Sequence, residues 1–78
     1  MTSSERVAAA VARLKTIIGQ ETFGLRGFPG ERFRLGHEMS HFESEGEIQV
    51  VVQRDCGDKG WLDFGRNTPE HIVRNLLP

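Results

Sequence analysis

The run Ile48-Gln49-Val50-Val51-Val52-Gln53 constrains this chain more than any other segment. Four of its six residues are β-branched, which favours extended backbone over helix. Turn signals bound it on both sides. Glu43-Ser44-Glu45-Gly46 precedes it as a hairpin turn in which Gly46 is free to take positive φ. Asp55-Cys56-Gly57-Asp58-Lys59-Gly60 follows it as a turn-rich connection. A strand closed by tight turns at both ends calls for antiparallel neighbours.

The upstream neighbour falls within residues 31–41. As a strand, Phe33, Leu35, His37, Met39 and His41 alternate onto one face, and Arg32, Arg34, Gly36, Glu38 and Ser40 onto the other. As a helix, Leu35, Met39 and Phe42 fall at i, i+4 and i+7, and Gly36 and Gly46 limit its length. The strand reading takes precedence, because one long hairpin then accounts for all of 31–54. Downstream, Trp61-Leu62-Asp63-Phe64 reads as a further strand with apolar residues on both faces, hence well covered. Trp61 reads as a core or rim anchor. Thr22-Phe23-Gly24-Leu25 is a candidate short strand inside a glycine-punctuated stretch of turns, 19–30.

Helices are signalled at both ends. Thr2 and Glu5 form a capping-box pattern, and Val7, Val11, Leu14 and Ile18 make one apolar stripe that ends at Gly19. Thr68 reads as an N-cap with Pro69 at the first helical position and Glu70 at the positive end of the helix dipole. Ile72, Val73, Leu76 and Leu77 give that helix an apolar side, and His71 reads as a surface residue. The expected fold is α+β: one compact domain over residues 1–78, a small antiparallel sheet of three to four strands, and a helix at each end of the chain (αβββα).

A chain of 78 residues buries a modest core, so dimerisation or a partner would add stability. The longest wholly apolar run, Val7 to Ala12, is too short to cross a membrane. Glu5 and Arg6 interrupt anything like a signal peptide, and cytoplasmic residence is the expectation. Cys56 is the only cysteine, which excludes an internal disulfide and a cysteine-rich zinc site.

His37-Glu38-Met39-Ser40-His41 reads H-E-x-x-H. On a helix this spacing sets two imidazoles one turn apart, able to share a zinc ion with the Glu as general base. These five residues resemble the zincin metallopeptidases, which implies His37 and His41 as metal ligands and Glu38 as the base. The metzincin extension fails, because Ser44 and Glu47 stand where it needs Gly and His or Asp. On a strand the two histidines would lie about 13 Å apart, too far for one ion. The zinc hydrolase is therefore the alternative, and the leading expectation is a non-enzymatic protein with no cofactor.

Net charge is −1, unevenly placed: +3 over residues 1–37, −5 over 38–63, and +1 beyond. The acidic middle disfavours direct nucleic-acid binding and favours a basic protein partner. Glu43, Glu45 and Glu47 cluster at the expected hairpin tip, with Asp55 and Asp58 at the opposite end of the following strand. These five are the candidate partner-binding residues. A nucleic-acid module using Arg26, Arg32 and Arg34 is a second alternative; it lacks an aromatic–basic strand motif. In size, compactness and local acidity the chain resembles small phage- or mobile-element-encoded inhibitors such as anti-CRISPR proteins. That resemblance implies direct binding to an effector complex, with nucleic-acid access blocked sterically or by charge. A homodimer is a further expectation, from a small core and an exposed edge strand.

Overall fold

A computed structural model describes residues 2–78. Helix α1 (Ser3–Ile18) starts as its capping residues dictate: the Thr2 hydroxyl accepts from the Glu5 N–H (3.2 Å) and donates to the Glu5 carboxylate (3.0 Å). It ends at Gly19, whose φ of 73° is left-handed and whose N–H reaches the Lys15 carbonyl at 2.9 Å. Val7, Val11 and Leu14 are buried, and Ile18 packs at the core's margin.

Four strands follow: β1 (Phe33–Leu35), β2 (Phe42–Ser44), β3 (Glu47–Asp55) and β4 (Trp61–Asn67). All pair antiparallel with β3. Leu35 faces Val52 and Arg34 faces Gln53, while Phe42 faces Gln49. β1 and β2 therefore lie end to end along one edge of β3, and β4 takes the other edge. Between Leu35 and Phe42 the chain carries four residues more than β3 carries between Val52 and Gln49. The excess is taken up by a tight 3-10 turn over Glu38–Ser40. A smaller irregularity falls in β4, where Phe64 is the extra residue between Asp63 (facing Gln53) and Gly65 (facing Val52).

Helix α2 (Pro69–His71) begins at Thr68, whose hydroxyl accepts from the His71 N–H at 3.2 Å. It continues over Ile72–Leu76 with wider π-type bonding, and the Leu77 N–H reaches back to the Ile72 carbonyl at 2.9 Å. Both helices cover one face of the sheet. The core between them holds Val7, Val11, Leu14, Phe23, Leu25, Phe33, Val50, Val52 and Ile72.

The α+β class and the two terminal helices are as the sequence predicts, but the strands are distributed differently. Thr22–Leu25 supplies only one bridge, Phe23 against Phe33. The long strand expected through His41 stops at Leu35, so the alternation ends there and Met39 is 91% exposed. The helix alternative over 36–45 does not form either. The strand expected over 61–64 runs on to Asn67 and is an edge, with Leu62 46% and Phe64 40% exposed rather than covered.

The hairpin between β2 and β3 turns on two residues, Glu45 (φ 53°) and Gly46 (φ 80°). Two positive φ values in a two-residue loop are the mark of a type I′ turn, which suits Asn-Gly better than Glu-Gly. The left-handed backbone costs a residue such as Glu about 1 kcal/mol and costs Asn less. Glu45→Asn is accordingly expected to raise stability by about 0.5–1 kcal/mol in urea unfolding. An unchanged or lower midpoint would show that the turn carries no such strain.

Candidate docking face on the open side of the sheet

The H-E-x-x-H residues have a structural task. In the ladder, the Gly36 N–H donates to the Val51 carbonyl at 2.8 Å. The chain then leaves the strand, and the Val51 N–H on the same edge would lose its partner. His41 supplies it: Nδ1 accepts from the Val51 N–H at 3.2 Å. His41 is 7% exposed, so its imidazole replaces a backbone carbonyl in the gap of a broken strand. Gly36 sits tightly at the crossing: a Cβ there would stand 2.5 Å from Ser40 Oγ, which would have to swing aside, and 3.4 Å from Val51 Cβ. Burial pushes the His41 pKa down, and nearby Lys15 and His37 push the same way. The Gly36 carbonyl and Glu38 oppose them, and the net direction is below the usual 6.5. A neutral ring with Nδ1 as acceptor carries its proton on Nε2, which is buried without a partner.

In this arrangement the two histidines are not set one turn apart on the face of an α-helix. His37 and His41 stand at opposite ends of the 3-10 turn, one exposed and one buried. His41 has committed Nδ1 to the backbone. Among the described residues no three His, Cys, Asp or Glu side chains come together as a metal site.

The five acids take three different situations. Glu43 is not at a free tip: it turns toward α1 and pairs with Arg6 at 2.9 Å, with its side chain only 14% exposed. Glu45 and Glu47 are exposed at the hairpin. Asp55 and Asp58 are exposed at the far end of β3, and Asp55 Oδ1 accepts from the Gly57 N–H at 3.0 Å. Eight residue steps separate Glu47 from Asp55, about 26 Å of strand. The acids are thus two groups at opposite ends of one strand.

Those two groups frame the uncovered face of the sheet. Val50 and Val52 point to the helices, so Glu47, Gln49, Val51, Gln53 and Asp55 point the other way. Their cross-strand neighbours Arg34, Phe42, Trp61, Asp63 and Arg66 share that side. None of these ten residues is buried. Near one end the Arg34 guanidinium lies 4.4 Å from the centre of the Trp61 ring. Arg34 Nε donates to Gln53 Oε1 (3.0 Å), and Gln53 Nε2 donates to Asp63 Oδ1 (3.1 Å). Farther along β3, Arg66 lies 5.3 Å from the Phe42 ring centre. The face therefore presents two arginine–aromatic stacks toward its ends, with acids beside or beyond each of them.

Sequence reasoning set Arg34 on the face opposite Phe33, which is where it lies. It missed the stacks, because each joins strands far apart in sequence. Arg26 lies apart, exposed on the connection before β1, whereas Arg32 continues the ladder opposite Asp55, its carbonyl accepting from the Asp55 N–H at 2.9 Å, and its Nη2 donates to Thr22 Oγ1 at 3.2 Å. Among the described residues no helix is long and apolar enough to cross a membrane. Comparison with protein-family models, curated proteins and solved structures finds no match.

Proposed function

We propose that this chain is a non-enzymatic binding domain that docks on a basic protein surface through the open face of its sheet. The observation that carries the reading is the layout of that face. Trp61 and Phe42, each stacked with an arginine, stand toward its two ends, Trp61 across from Asp55 and Phe42 across from Gln49, and Glu45, Glu47, Asp55 and Asp58 flank them. Protein interfaces combine aromatic and arginine anchors with a charged, hydrated rim. The acidic ends fit Lys and Arg on the partner and would speed and orient the encounter. Both rings already carry a guanidinium, so a nucleic-acid base would have to displace it before stacking. That favours a protein occupant. In line with the resemblance to small phage-encoded inhibitors, the partner is a complex that holds nucleic acid on the same basic surface, as a CRISPR effector does. Binding there would block nucleic-acid access, and the chain would need no cofactor.

The test uses the whole chain as bait against a host lysate, with the captured protein identified by mass and then purified. Trp61→Ala is expected to weaken its binding at least about tenfold, as loss of a large aromatic anchor does. Reversing Glu45, Glu47, Asp55 and Asp58 to Lys should slow association and flatten its salt dependence. The partner's nucleic-acid binding should fall as the bait is added. Wild-type affinity in both folded variants would sink the reading.

A further inference from the structure

Among the described residues strand β4 pairs with β3 along one edge and with no strand along the other. Odd-numbered β3 residues aim their backbone groups at the β1–β2 edge, as the bonds of Val51 to Gly36 and His41, and of Asp55 to Arg32, require. Even-numbered ones therefore aim at β4. In β4 it follows that Leu62, Gly65 and Asn67, which face Arg54, Val52 and Val50, bond inward. Trp61, Asp63 and Arg66, which face Asp55, Gln53 and Val51, aim their N–H and C=O groups away from the sheet. Such a row is a template for another strand, and most chains blunt it. Here Leu62 (46%) and Phe64 (40%) stand exposed along it, on the strand with the longest free edge.

We infer that β4 pairs antiparallel with β4 of a second copy of this chain. The charge sequence of the strand favours a second copy as occupant and one register above those that forgo its ion pairs. A two-fold axis between Phe64 and Gly65 sets Asp63 of each copy opposite Arg66 of the other. Both residues have outward backbone groups, so they form the two hydrogen-bonded pairs beside the axis, with opposite charges facing on the open side. Registers centred on Asp63 or on Arg66 put like charges directly opposite and are disfavoured. Across the axis, Phe64 of each copy meets Gly65 of the other, which has no side chain to compete for the space. The irregularity at Phe64 falls at the axis and leaves both charge pairs in register. Four strands become eight, and the two open faces join into one. The contact does not depend on the proposed partner, and its test reads only mass and exchange.

Sedimentation velocity of the full chain at about 100 µM should give twice the 8.8 kDa monomer mass. Asp63→Arg or Arg66→Asp alone should raise the dimer dissociation constant at least about tenfold, and the two together should restore it to within about threefold. Circular dichroism confirms that each variant is folded. In the dimer the amides of Asp63 and Arg66 should exchange slowly, and dilution should release them. A monomer at about 100 µM, single variants that dimerise like wild type, or a double variant that stays dissociated overturns the inference. So does fast exchange of those two amides in a dimer, since the copies would then meet elsewhere.

Discussion

Phe33→Ala is expected to cost about 3–5 kcal/mol, the largest loss from any single substitution proposed for this chain. Phe33 has no exposed surface and is the largest of the fully buried side chains. Its ring meets Phe28 and Phe64 edge-on, at centroid distances of 5.9 and 5.1 Å, and those two rings meet each other at 5.0 Å. Each such pair adds about 0.5–1.5 kcal/mol beyond the area it buries. The backbone of Phe33 also exchanges two bonds of 2.9 Å with Phe23, tying the glycine-rich connection to the sheet. At ~0.05–0.15 kcal/mol per residue a chain of this length has about 4–12 kcal/mol in total. The variant should therefore melt about 15 °C or more below wild type, or fail to fold. Phe33→Leu keeps most of the volume and should cost about 1.5 kcal/mol. A Phe33→Ala melting point within about 5 °C of wild type would show that the aromatic cluster does not hold the core together.

The second large effect belongs to His41. Replacing it with Phe keeps a ring of similar size and strands the Val51 N–H, at a cost of about 1–3 kcal/mol. Gln keeps a neutral acceptor and should cost less. The two substitutions also separate by pH. The His41 pKa is lowered in the folded state, chiefly by burial, so the unfolded chain binds the proton more readily. The stability from a neutral His41 is fully present above the unfolded value of about 6.5, and it is lost as pH falls from there through the folded value. Protonation at Nδ1 would set N–H against N–H at Val51. Wild type should thus lose stability below about pH 6.5 in urea unfolding, and His41→Gln should lose less over the same range. Parallel curves for the two proteins would remove His41 from the pH response.

These two residues mark what the sequence made legible. Phe33 was readable as a core position from its alternation with Leu35. His41 carried the same alternation and a metal-binding spacing besides, and neither pattern describes what it does. Its partner is a backbone N–H on β3, ten residues away, exposed by a break that neither helix nor strand periodicity signals. The acidic residues were legible as a charge excess, and the division at the two ends of β3 followed from the turns. The pairing of Glu43 with Arg6 did not, because those residues are 37 positions apart. The arginine–aromatic stacks were hidden for the same reason: each is a contact between strands, fixed by register.

What the sequence determined by itself is local. The start and stop of α1, the extended run of β3, the turns on either side of it and the cap of α2 each follow from residues within a few positions of one another. Capping bonds, left-handed glycines and β-branched side chains act over that distance. Tertiary structure alone decided where the upstream strand breaks, which edge β4 leaves free and which side chains share the open face. Those depend on the register of each strand against β3, and register is set by the burial of Phe33, Leu35, Val50 and Val52 together.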